Sequence, residues 1–160
     1  MSHSIDSALG DRAVFDSLNL GVLLEAIEEA VIITGPGLDL PGPAIRYVNA
    51  SFERMTGYDR REVIGRSPRL LQGPDTSRSE LDRMKSALRE HRTFEGEAIN
   101  YRKDGQAFRV RWAVAPIYDD FGDVTAWLSV QREAEGARPI SLSDLACGMK
   151  RGLETGLRTP

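Results

Sequence analysis

A single cysteine, Cys147, in a chain of 160 residues excludes an internal disulfide framework and any cysteine-rich zinc site. Only two histidines, His3 and His91, are present, which leaves little material for a histidine-based metal centre. No apolar run approaches the roughly 20 residues that a membrane span needs. The opening Met1-Ser2-His3-Ser4-Ile5-Asp6-Ser7 has neither the basic stretch nor the apolar core of a secretory signal, so a soluble, cytoplasmic protein is expected. The formal net charge of -3 is spread over interspersed acids and bases, which argues against a general nucleic-acid surface. Repeats and low-complexity segments are absent, as are a phosphate loop, a nucleophile elbow and a nucleophile–base pair. His91 and Cys147 fall in unconnected segments, and an enzyme is not expected.

What is there suits one domain with a single core and terminal extensions, given 41% hydrophobic residues in this length. Asp11 is placed to cap a helix whose apolar face is Val14, Phe15 and Leu18, continued past Gly21 by Leu20, Leu23, Leu24 and Ile27. Residues 30–34 read as a β-branched strand ended by Gly35-Pro36-Gly37, and 45–48 as a second strand antiparallel to it. Short helical pieces are expected over 50–55, 59–64 and 68–72, then a longer helix over 77–90 with Leu81, Met84, Lys85 and Leu88 at helical spacing. Three strands follow over 93–102, 106–117 and 124–132, joined by turns at Lys103-Asp104-Gly105 and Asp119-Asp120-Phe121-Gly122.

Alternation puts Phe94, Gly96, Ala98 and Asn100 on one face, with Phe108, Val110, Trp112 and Val114, and then Trp127, Ser129 and Gln131. The other face, with Ala113, Ala115, Ala126, Leu128 and Val130, is also apolar, so the sheet needs two coverings. Past a linker after Glu133, Ser143 is placed to cap a helix with Leu142, Leu145, Ala146, Met149 and Leu153 on one stripe. Gly148, Gly152 and Gly156 each weaken that helix by about 1 kcal/mol relative to alanine.

The stretch Gly65-Arg66-Ser67-Pro68-Arg69-Leu70-Leu71-Gln72-Gly73 resembles the flavin-photosensor motif GRNCRFLQG of light-oxygen-voltage (LOV) domains, a branch of the PAS superfamily. Asn49-Ala50-Ser51-Phe52-Glu53-Arg54-Met55-Thr56-Gly57-Tyr58 before it, and Ile99-Asn100-Tyr101-Arg102-Lys103-Asp104-Gly105 after it, extend the likeness in the right order. The resemblance implies an α+β PAS fold: a five-stranded antiparallel sheet with helices over one face. It divides the chain into a helical extension over 1–27, a sensor domain over 28–134, and a linker with an amphipathic helix over 135–160.

The same resemblance implies FMN as cofactor. Asn100 matches the asparagine on the ring's pyrimidine edge, and Gln131 the last-strand glutamine beside its N5 and O4. Gln72 matches the ribityl contact, while Arg69 and Lys85 match the two phosphate-binding arginines. Phe52, Ile64, Leu71, Ile32 and Thr34 fall where the ring is walled. Three positions depart from the pattern. Pro68 stands where the family has the cysteine that bonds covalently to the flavin, and Ser67 and Val110 replace two asparagines. Proline has no nucleophile and no N–H, although Ser67-Pro68 is a favourable helix start. The buried amides Asn100 and Gln131 need partners among Phe, Ala, Val and Trp. Trp112 and Trp127 read as core, and His91 as a helix-end residue.

Two functions follow. The first is a blue-light or redox sensor that signals through Gln131 and the last strand, by helix packing or homodimerisation, without a covalent flavin bond. The second is a flavin-free PAS dimerisation module, or a sensor of another small ligand.

Overall fold

Alternation and turn chemistry translate into a sheet whose inner face carries both helices and cavity. A computed structural model describes residues 20–134. The helix expected after Asp11 and the segment beyond Glu133, with Cys147, lie outside the described residues. The elements are α1 (Leu20–Glu25), β1 (Ala30–Thr34), β2 (Ile45–Val48), α2 (Ala50–Thr56), α3 (Arg60–Val63), a 3-10 turn (Pro68–Leu71), α4 (Arg78–Arg89), β3 (Phe94–Tyr101), β4 (Ala107–Tyr118) and β5 (Val124–Glu133). The strands run in the order β2-β1-β5-β4-β3, each antiparallel to its neighbour. This is the expected α+β architecture, with every expected strand and helix of the described region present.

Local chemistry starts and stops the helices. Asn49 caps α2, Asp59 and Glu62 form a reciprocal capping box on α3, and Ser77 caps α4. Ser67 accepts from the Arg69 N–H, with Pro68 at the first helical position of the 3-10 turn. The proline is therefore accommodated by the local backbone, which already leaves that N–H unused. Gly57 ends α2 at a φ of 76°, a left-handed conformation that a glycine adopts without strain.

Two buried clusters fill the inner side. One gathers Leu88 of α4 with Phe94, Phe108, Val110, Trp112 and Trp127. The other joins Ile32, Ile45 and Val48 to Phe52, Val63 and Leu71. A bulge between Ile33 and Thr34 shifts the β1–β2 register, so Ile45 packs inside while Tyr47 lies on the outer side. On the outer face Leu24 and Ile27 cover Val31, with Ile33, Tyr47 and Leu128 beside them. α1 and the residues just after it thus meet part of the need for a second covering, over β1.

Asn49 ties these parts together. Its side-chain oxygen accepts from the N–H groups of Val31 and Phe52, at 2.9 and 3.0 Å. Its amide nitrogen donates to the carbonyls of Leu24 and Glu29, at 3.0 and 2.9 Å. One buried side chain thus closes α1, opens α2 and fixes the first residues of β1. Asn49→Ala is expected to reduce unfolding free energy by about 3 kcal/mol, since it removes a cap and strands several buried backbone groups. Denaturant titration measures this, and a loss below about 0.5 kcal/mol would contradict the assignment.

Glu25 closes the same end of the fold. It accepts from Tyr47 and from the Ala50 N–H, both at 2.9 Å, and pairs with Arg60 at 3.2 Å. Burial, and then the Glu25 carboxylate, push the Tyr47 hydroxyl up to about 12. The unfolded chain releases that proton near pH ~10, so the contribution is complete below ~10 and is lost as pH rises from about 10 to about 12. Tyr47→Phe should therefore show a flatter fall in stability across that window than the parent chain, when unfolding is followed at a series of pH values. Identical slopes would mean that Tyr47 titrates as it does unfolded.

Candidate functional site

The seam between the two inner clusters is open. A cavity of about 330 Å³ lies there, at the lower end of the size range of small-molecule sites. Its floor is the sheet: Ile32 and Thr34 from β1, Asn100 from β3, Trp112 and Val114 from β4, and Trp127, Ser129 and Gln131 from β5. Its far wall is α4, through Leu81, Met84, Lys85 and Leu88. The 3-10 turn supplies Ser67, Pro68, Arg69 and Leu71, followed by Gln72. The loop between β1 and β2 contributes Leu38 and Pro43.

Pairing register sets the floor. Gln131 lies opposite Ala30 on one side and Trp112 on the other, and Trp112 lies opposite Gly96. Gly96 lets β3 and α4 approach: a Cβ there would sit 2.4 Å from a Glu80 carboxylate oxygen and 2.6 Å from the Phe94 ring. Gly73, at the end of the 3-10 segment, is equally constrained, because a Cβ would meet the Tyr101 ring at 2.3 Å. Tyr101 in turn donates to Asp75 at 2.7 Å, so the segment leaving the turn is pinned to the edge strand.

Apolar side chains and polar groups share the lining, and the partners of the polar groups on the sheet floor can be traced. Trp112 donates its indole N–H to the Met84 sulfur at 3.4 Å, and Trp127 donates to the Pro36 carbonyl at 3.1 Å. The two rings are thereby fixed as walls. Gln131 is 7% exposed; its Nε2 donates to Ser129 Oγ at 3.2 Å, and its Oε1 is buried with no partner among the described residues. Turning the amide over exchanges the atoms and still leaves one unsatisfied. Asn100, half-buried on the same floor, makes no side-chain hydrogen bond among the described residues. A buried amide atom without a partner is uncommon, and two amides on the floor of one cavity, beside the indole walls, fit a flat ligand with a polar edge.

Of the residues expected from sequence, Ile32, Thr34, Ser67, Pro68, Arg69, Leu71, Gln72, Lys85, Asn100 and Gln131 line this cavity. Phe52 and Val110 are buried in the two clusters, at 0% and 1% exposure, and do not line it. Ile64 does not line it either: it is 48% exposed. Its neighbour Val63 takes the inward position beside Phe52 and Leu71, because α3 ends there and the chain turns at Gly65. Lys85 is at the cavity, but Asp39 stands 3.6 Å from its ammonium. Trp112 and Trp127, expected as core, are both core and cavity wall. Arg78 and Asp82 reach the rim without having been singled out in the sequence. Their place on the face of α4 that carries Lys85, Asp82 one turn and Arg78 two turns before it, is the available signal.

Among the described residues no helix is long and apolar enough to cross a membrane, and no group of three or more His, Cys, Asp or Glu is gathered to hold a metal.

Comparison with known proteins identifies the family of the fold. The PAS domain family matches residues 28–134. The chain is 38% identical over 135 residues to Phototropin-2 of Oryza sativa, across 81% of this chain and 15% of that one. It is 36% identical over 115 residues to the Blue-light photoreceptor of Listeria innocua, across 70% and 44%. It thus spans less than half the length of these curated relatives. Among solved structures, the LOV domain of the Erythrobacter litoralis EL346 blue-light activated histidine kinase superposes with a TM-score of 0.62 at 30% identity, covering 68% of this chain and 97% of that one. An RNA-binding LOV receptor superposes at 0.69 with 24% identity, a likeness of fold alone.

If the Gln131 carbonyl is unsatisfied in the ligand-free protein, removing it should help the fold. Gln131→Leu is expected to stabilise the ligand-free chain by about 1 kcal/mol, read from its denaturation midpoint. A comparable destabilisation would show that the amide already has its partners.

Proposed function

We propose, from the premise that this chain belongs to the PAS domain family, in its light-oxygen-voltage branch, that it is a cytoplasmic sensor binding FMN in the seam above β4 and β5. The observation that carries this reading is the unpartnered Gln131 oxygen on the floor of a cavity walled by Trp112, Trp127, Ile32 and Leu71. Asn100 and Gln131 would meet the polar edge of the ring, and Gln72 with Arg69 would meet its tail. Bound flavin supplies a ring that absorbs blue light and whose polar edge changes hydrogen-bonding character on reduction.

The chain's own part is then a rearrangement. Pro68 cannot form a covalent bond, so the response has to pass through hydrogen bonds. Gln131 offers an acceptor and a donor on one rotatable amide, and Ser129 Oγ can donate to one orientation or accept from the other. A change of orientation alters the bond at 3.2 Å to Ser129 within β5. β5 ends at Glu133, next to the segment that leaves the domain. Altered packing of the terminal segments, or of two copies through the outer sheet face, is the output in this reading. It requires neither catalysis by this chain nor nucleic acid.

A second reading keeps the fold and dispenses with flavin: a PAS dimerisation module, or a sensor of another small ligand. Val110, apolar where the motif has an amide, favours it.

The absorption of the purified chain, with and without added FMN, separates the two. A structured blue band retained through gel filtration is expected. A chain that stays colourless after incubation with FMN excludes the flavin reading. In the coloured protein, Pro68→Cys should introduce a blue-light bleaching that recovers in the dark. Absence of that bleaching would mean that the 3-10 turn holds residue 68 away from the ring.

A further inference from the structure

We infer that an anionic tail on the cavity's ligand is held by Arg69 and Arg78, and that Lys85 is committed instead to fastening the β1–β2 loop through Asp39. This rests on the flavin reading and assigns the group that would distinguish FMN from its phosphate-free analogue.

The fastening is visible in the loop. Asp39 sits between Leu38 and Pro43, both of which line the cavity. Its Oδ1 accepts from Arg89 at 3.0 Å and lies 3.6 Å from the Lys85 ammonium. Lys85 and Arg89 are one helical turn apart on α4, so one carboxylate bridges two cations on the same face. The Asp39 carboxyl is correspondingly held below the usual carboxylate range, by its bond to Arg89 first and by Lys85 as well. A phosphate approaching Lys85 has to compete with a carboxylate tethered beside it. If it won, Asp39 would lose one of the two cations that hold it to α4.

Arg69 and Arg78 are differently placed. Both line the cavity, and neither makes an ion pair among the described residues. Gln72 links them: its N–H donates to the Arg69 carbonyl at 2.9 Å, and its Oε1 accepts from Arg78 at 3.4 Å. Arg78 is the first residue of α4, where a helix favours an anion. Asp82, one turn on, also lines the rim and offsets one of the two charges, leaving one positive charge uncompensated. A guanidinium offers several donors in a fixed plane, which suits phosphate oxygens better than the single point of an ammonium.

The test titrates the full chain with FMN and with riboflavin, following flavin fluorescence, and reads the ratio of the two dissociation constants. The parent chain should prefer FMN. Arg78→Gln and Arg69→Gln should each cut that preference about tenfold while riboflavin affinity holds, which also shows that the cavity has stayed intact. Lys85→Gln should leave the ratio within about twofold, and Asp39→Asn, by releasing Lys85, should raise it. Collapse of the ratio in Lys85→Gln with no change in Arg78→Gln would overturn the assignment. So would equal affinities in the parent chain, or loss of both flavins together in Arg78→Gln, which would mark that arginine as structural. A parent chain that binds neither flavin removes the flavin reading itself, and this assignment with it.

Discussion

A buried amide has to be answered by hydrogen-bond partners, and two amides of this chain show what happens when it is and when it is not. Asn49, fully buried, reaches Val31, Phe52, Leu24 and Glu29, and through them holds α1, β1 and α2 in one arrangement. Gln131 is nearly as buried and, among the described residues, its side chain bonds to Ser129 alone. The first amide is spent on the fold. The second keeps an open valence towards the cavity, at a cost of about 1–3 kcal/mol that a ligand would relieve. The folded chain can carry such a deficit because the Asn49 network and the two apolar clusters stabilise it elsewhere.

The position of that open valence gives it reach. Gln131 borders the inner cavity and also a surface groove formed by Glu28, Glu29, Ser51, Arg54, Arg102 and Glu133. That groove lies where the chain enters β1 and leaves β5. Arg102 clamps its edge. It lies over the Phe108 ring at 4.3 Å, donates to the Met55 carbonyl, and binds both carboxylate oxygens of Glu133 at 2.8 Å. A reorientation of Gln131 therefore takes place two residues from the point where β5 is tied to β3 and α2. In the proposed reading this is the shortest route from ligand to terminus, and it needs no covalent bond at residue 68.

Much of this could be read from the residues. Period-two patterning in Phe94 to Asn100 and in Phe108 to Val114 placed the inner face correctly, and Ser67-Pro68 announced a helical start that the 3-10 turn provides. The motif likeness brought together residues from five elements that no local pattern connects. What it could not resolve was a one-residue choice: whether Ile64 or Val63 points inward depends on where α3 stops. Nor was Asp39 legible as the partner of Lys85, because the two are brought together by the course of a long loop. Trp112 and Trp127 read as core in the sequence, because a wall of an interior cavity has the same sequence signature as a core.

The central claim is that the Gln131 amide waits for a ligand edge, and its side-chain NH2 resonances report on that amide directly. Followed by NMR as FMN is added to the intact chain, they should move to new positions as the carbonyl of the same amide gains a partner. Resonances that stay where they are, in a protein already saturated with flavin, would contradict the account.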